Sequence, residues 1–126
     1  PSSAASDVYK RQALQRFAAD LYQNNGIVAA VCHGPAALLN IKLADGSYLI
    51  AGKQVTGFSN TEEEQVKLAQ VVPFSLQDQL TLRGAHFSAA ANWQSKVVVD
   101  QRLVTGQNPQ SAAAVGQALV RLLKSK

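Results

Sequence analysis

Val28-Ala29-Ala30-Val31-Cys32-His33-Gly34-Pro35-Ala36-Ala37 is an unbroken apolar run that reaches a bend at the only cysteine and restarts with a proline. This is the pattern of a nucleophile elbow, a strand-to-helix turn in which a strained residue is lifted clear of the sheet between small neighbours. Ala30 and Gly34 supply those neighbours. A helix starting at the bend directs free N–H groups and the positive end of its dipole toward the sulfur, so a depressed thiol pKa is expected for Cys32. A lone cysteine is otherwise a small buried hydrophobe. The histidine and glycine that follow favour the nucleophile, because a polar ring at a strand end needs a partner.

Upstream of the bend, Ala13, Leu14, Phe17, Ala18, Leu21 and Tyr22 recur at helical spacing over residues 12–23, and Asn25-Gly26 stops that helix. Continuous apolar character over 27–31 fits a strand covered on both faces, as in a parallel sheet. Residues 35–41 are expected to form a short helix with proline near its start, where the missing N–H is harmless. After an Asp45-Gly46 turn come strand-like pieces at 48–50 and 54–56. Asn60 or Thr61 then caps an acidic helix start at Glu62-Glu63-Glu64. A further helix is expected over 75–82, with strands around 86–89, 96–99 and 103–105, the last two joined by a turn at Asp100-Gln101-Arg102. Asn108-Pro109 opens a closing helix with Ala112, Val115, Leu119, Leu122 and Leu123 as its buried stripe. Alternating helices and apolar strands mean an α/β layered fold. Its first element is a helix and it has one fully apolar strand, so it reads as incomplete, with strands that should flank 27–31 lying upstream.

The 126 residues bound the answer to one domain, and 47% hydrophobic with 16% charged residues is ordinary for a soluble globular chain. One cysteine excludes an internal disulfide and fits a reducing, cytoplasmic compartment. With two histidines and one cysteine a metal site is not expected. The net charge of +4 is scattered along the chain, which argues against nucleic acid as a partner. No apolar run has membrane-spanning length and no segment has the form of a signal peptide, so no membrane partner is expected. Methionine is absent, and residues 1–11 show no periodicity and resemble the translation of a sequencing-library adaptor; they read as a non-native leader, with 12–126 as the C-terminal portion of one domain.

Four blocks carry a resemblance: 30–36 around Cys32; Gly52-Lys53-Gln54-Val55-Thr56-Gly57-Phe58-Ser59-Asn60-Thr61-Glu62-Glu63-Glu64; Val72-Pro73-Phe74; and 103–112 through Gly106-Gln107-Asn108-Pro109. Together, and in this order, they resemble the ThiJ/PfpI superfamily, in particular its branch of heat-shock chaperones and glutathione-independent glyoxalases (glyoxalase III-like). The resemblance implies a flavodoxin-like, class I glutamine amidotransferase-like three-layer sandwich, incomplete at the N-terminus. It implies Cys32 as nucleophile, His33 as its neighbour, and Glu63 as the acid that orients the histidine, with Glu62 and Glu64 as alternatives. It also implies a glutamate from an early strand end and a glycine-rich loop, neither of which this sequence contains, so the chain by itself is expected to be inactive. Gly34, Trp93 and Asn108 are expected on the substrate side; packing explains Trp93 equally well, and helix capping explains Asn108.

The function expected from this resemblance is a cofactor-free conversion of a 2-oxoaldehyde such as methylglyoxal to a 2-hydroxy acid, or a related deglycase activity. A homodimer is expected of the full-length protein. The rival of a different class is a holdase chaperone for misfolded proteins, resting on kinship and on an aromatic patch of Phe74, Phe87 and Trp93. A third reading, amidotransferase or peptidase, needs a histidine distant from the cysteine, and only His86 is available; it reads as packed or as a pocket wall.

Overall fold

The computed structural model describes residues 3–66 and 75–125, with side chains from Tyr9 onward. The Val72-Pro73-Phe74 block therefore lies outside the described residues. The sheet forms around the elbow strand β1 (Val28–Val31), which pairs in parallel with β5 (Leu103–Gly106), Val28 facing Leu103 and Val31 facing Gly106. On the far side of β5 lies the antiparallel β4 (Val97–Asp100), so the order is β1-β5-β4 and β5 is central. All four residues of β5 are buried. A second, two-stranded parallel sheet joins β2 (Gln54–Val55) to β3 (His86–Phe87).

Because side chains alternate across a strand, the two faces of the sheet feed two clusters. Val28 and Leu103 join the larger core with Leu49, Ile50, Val55, Leu76 and Leu80, while Val104, Ile27 and Val31 pack against Val115 and Ala118. These last two belong to the closing helix α4 (Ala112–Lys124). Its expected stripe is confirmed at Val115, and Leu119 and Leu122 are half-buried; Ala118 joins them, while Ala112 and Leu123 face outward. A short 3-10 turn, Pro109–Ser111, precedes it.

Four expectations are corrected. The first helix, α1, runs Ser3–Gln23, through the stretch that shows no periodicity in sequence. It buries Ala19 and Tyr22, whereas Leu14 and Phe17 are each 67% exposed. They line a groove of about 990 Å³ together with Leu21, Ile27, Ala29 and Ala37. The strand β1 does pack on both faces, Val28 in one core cluster and Val31 against the other, but among the described residues it is an edge of its sheet, and Ala29 is exposed. The helix end does occur where expected, with Asn25 in the left-handed region and the Gly26 N–H bonded to Leu21 O at 2.7 Å.

The second correction is at 35–41, where a five-residue 3-10 turn, Gly34–Leu38, stands in place of a helix. The third is at 48–50. These residues form no strand; Leu49 and Ile50 are fully buried and fill the core from a turn after Asp45 and Gly46. The fourth concerns the cap of α2 (Asn60–Val66). Ser59, rather than Asn60 or Thr61, caps it: Ser59 Oγ accepts from Glu62 N at 3.2 Å while Glu62 Oε1 accepts from Ser59 N at 3.1 Å, a reciprocal capping box. Helix α3 (Leu76–Leu82) begins as expected, its cap Ser75 accepting from Asp78 N at 3.1 Å. Among the described residues no helix is long and apolar enough to cross a membrane.

Candidate active site

Cys32 follows β1 with φ 63°, the left-handed strain expected of an elbow. Hydrogen bonds from two directions hold that conformation: Cys32 N–H donates to Gly106 O, and Cys32 O accepts from Phe58 N, both at 2.9 Å. The glycine before Phe58 sits close to the core beside this second contact. A Cβ on Gly57 would stand 3.1 Å from the Leu76 side chain, which would have to yield by a few tenths of an ångström, and at ordinary contact distance from Pro35 and Cys32 O, 3.4 and 3.6 Å.

His33 Nδ1 lies 3.6 Å from Cys32 Sγ, and its Nε2 contacts Glu63 Oε1. The Glu63 side chain is 8% exposed and the His33 ring 39%, so a buried carboxylate orients a partly open ring. Glu63 Oε2 is buried with no hydrogen-bond partner among the described residues. Phe58 packs on the same ring, centroid to centroid 4.4 Å, and Trp93 meets Phe58 edge-on at 5.5 Å. Burial pushes the Cys32 thiol up; a hydrogen bond from the His33 backbone opposes this, and the charges of Glu62 and Glu63 add to it. The expected depressed thiol pKa is therefore corrected. The short 3-10 turn after the bend offers no long helix dipole to offset desolvation.

The three glutamates separate completely. Glu64 is exposed, Glu63 faces His33, and Glu62, 0% exposed, faces inward. Glu62 Oε1 accepts from Ser59 N, Ser59 Oγ at 3.0 Å and Gln107 Nε2 at 2.9 Å; Oε2 accepts from Trp93 N at 2.9 Å and Asn108 Nδ2 at 2.8 Å. Burial alone would raise its pKa, but these bonds from Trp93, Asn108, Gln107 and Ser59 outweigh it and hold the carboxyl below the usual range.

Of the remaining candidates, Gly34 is exposed beside His33, and a Cβ there would meet only Ala30 at 3.4 Å. Trp93 is half-buried against the core and the Phe58 ring. Asn108 is fully buried, its amide donating to Glu62 and to Gln94 O. It makes no side-chain cap for the turn that follows. Gln107, which carried no signal of its own in the sequence, is the second amide on Glu62. Phe87 is half-buried against the core, so it and Trp93 do not form a free aromatic patch, and Phe74 lies outside the described residues. His86 is exposed on β3 rather than packed. Among the described residues, no three His, Cys, Asp or Glu side chains are grouped to hold a metal.

The chain is similar to known proteins over nearly all its length. It is 38% identical over 125 residues to a probable glutathione-independent glyoxalase, hsp3103, of Schizosaccharomyces pombe, covering 93% of this chain and 48% of that protein. The solved structure of the Rapid Encystment Protein 24 KDa of Francisella tularensis superposes with a TM-score of 0.84 at 48% identity, over 86% of this chain and 48% of that one. Glyoxalase III of Candida albicans superposes with a TM-score of 0.81 at 32% identity, again over 86% and 48%. The chain thus spans about half the length of the curated relatives it matches. Their likeness supports the flavodoxin-like α/β fold, and a family model matches residues 2–122: the chain belongs to the DJ-1/PfpI family.

Proposed function

We propose that Cys32, His33 and Glu63 carry glutathione-independent glyoxalase chemistry, turning a 2-oxoaldehyde such as methylglyoxal into the 2-hydroxy acid. The observation behind this reading is the relay: a sulfur 3.6 Å from one nitrogen of a ring whose other nitrogen is held by a buried carboxylate. Glu63 as acceptor puts the ring proton on Nε2, which leaves Nδ1 to take the thiol proton. Since burial raises the Cys32 pKa, this transfer, rather than a standing thiolate, makes the nucleophile.

Sγ then adds to the aldehyde carbon, and the carbonyl oxygen takes up the proton, giving a hemithioacetal. Loss of the carbon-bound hydrogen as a proton yields an enediol, and protonation of the neighbouring carbon gives a 2-hydroxy thioester. Water cleaves the C–S bond, releasing the acid and restoring the thiol. The aldehyde carbon is oxidised as the ketone carbon is reduced, so the redox change closes within the substrate. Gly34 keeps the elbow open to the substrate, Trp93 and Phe58 wall the ring side, and Asn108 acts through Glu62.

The carbon-bound proton calls for a base beside His33. The chain's three glutamates are already committed or turned outward, Glu62 to five donors, Glu63 to His33, and Glu64 to solvent. Negligible turnover is therefore expected of the 126 residues alone. The test is methylglyoxal consumption without glutathione, by this chain and by a chimera that adds the remaining half of the Schizosaccharomyces pombe relative. Turnover in the chimera that disappears in Cys32→Ala supports the reading; turnover that survives Cys32→Ala overturns it.

A further inference from the structure

Glu62 spends both carboxylate oxygens on segments that lie beside the site rather than on the site itself. Besides capping its own helix through Ser59, it takes Trp93 N–H, the Gln107 amide and the Asn108 amide. Those two amides also strap the loop that carries Trp93: Gln107 accepts from Ala90 N at 2.8 Å and donates to Ala90 O at 3.2 Å, and Asn108 donates to Gln94 O at 2.8 Å. Trp93 itself sits at φ 64°, a conformation a bulky residue keeps only where its surroundings hold it. From Trp93 the wall continues through Phe58 to His33.

We propose that Glu62 is a positioning residue that sets the size of molecule reaching Cys32, by pinning the Trp93 wall through a carboxylate that meets only donors. The glyoxalase reading enters only in naming a small aldehyde as what the wall admits; the measurements below need no turnover. Among the described residues every hydrogen bond to the Glu62 carboxylate comes from an N–H or O–H, so an amide in its place would set a donor against a donor at one end. An aspartate keeps the charge but is shorter by one methylene, and cannot reach the Ser59 side and the Trp93 side together.

The single cysteine and single tryptophan are built-in reporters. Cys32 is alkylated with iodoacetamide and with a bulky aryl maleimide, and the ratio of the two rates is compared across variants; the thiolate fraction cancels in that ratio. In Glu62→Gln and Glu62→Asp, the bulky-to-small ratio is expected to rise at least about threefold, in the range of coupling between residues that share partners. Trp93 emission should shift to longer wavelength with easier acrylamide quenching. Trp93→Ala should raise the same ratio, and adding either Glu62 variant should leave it there, because the two act through one wall. An unchanged ratio and emission in both Glu62 variants overturns the proposal, as do effects that add in the double variants. Loss of cooperative melting in both Glu62 variants would assign Glu62 to folding alone and overturn it as well.

Discussion

His33 and Glu63, thirty positions apart, meet ring nitrogen to carboxylate oxygen, with the other ring nitrogen facing Cys32 Sγ at 3.6 Å. The pairing joins the elbow after β1 to the first turn of α2. The relay therefore depends on the Phe58–Cys32 backbone bond that docks those two segments. Each end of the relay can be tested separately.

Cys32 should alkylate with a pH midpoint above the ordinary thiol value of about 8.5, because burial dominates its environment. Iodoacetamide rates between neutral and alkaline pH read this directly. His33→Ala should slow the reaction near neutral pH while leaving the cysteine fully reactive at high pH. A midpoint well below the ordinary value would contradict the burial argument.

Glu63→Gln should lower methylglyoxal turnover of the chimera by about a hundredfold or more, the scale of losing a positioned acid–base partner. Cooperative melting should be retained, since the amide oxygen can still accept from His33 Nε2 in the same shape. Unchanged turnover would remove Glu63 from the relay.

Glu62 makes the fold acid-sensitive. Its carboxyl titrates below the usual value because hydrogen bonds outweigh its burial. The unfolded chain then binds the proton first, so the stabilisation is fully present above the ordinary glutamate pKa of about 4.3 and is lost as pH falls through the depressed one. Denaturant melts between pH 7 and pH 3 should show this loss in the original chain, and Glu62→Gln should flatten it.

Gly106→Ala should destabilise by about 1–3 kcal/mol, the usual cost of overpacking. A Cβ there would stand 2.7 Å from Val115 and 2.9 Å from Val31, in the layer between the sheet and α4. Gly116→Ala, where a Cβ meets nothing within 4 Å, is the matched control and should hold or gain stability. Chemical denaturation of the pair measures the difference.

The chain should self-associate through the exposed side of α1 and the outer edge of β1, because Leu14 and Phe17 stand exposed beside a strand edge that no other strand pairs among the described residues. Leu14→Gln with Phe17→Gln should reduce apolar-dye binding and shift sedimentation toward the monomer. Exposed positions carry little folding energy, so stability should change by no more than about 0.5 kcal/mol.

Much of this molecule is legible in the sequence because its signals are local. An apolar run ending at Cys32-His33-Gly34 requires a bend, and that bend carries the observed φ of 63°. Val115 at helical spacing after Pro109 marks the buried side of α4, and Ser75 marks the start of α3. The capping box at Ser59-Asn60-Thr61-Glu62 is equally local, although Asn60 and Thr61 offer competing cap side chains one and two residues later.

What only the tertiary structure decided is what lies opposite each side chain. Glu62, Glu63 and Glu64 are consecutive on a helix, about 100° apart at 3.6 residues per turn, and share nearly the same local preferences. One meets five donors, one a histidine and one solvent, because different segments pack around each direction. The same holds for the thiol, whose pKa follows from the burial and charges around it rather than from the bend, and for α1, whose apolar stripe is periodic whether or not anything covers it. Sequence determined where the chain turns and which side chains could react; only packing decided which of them face one another.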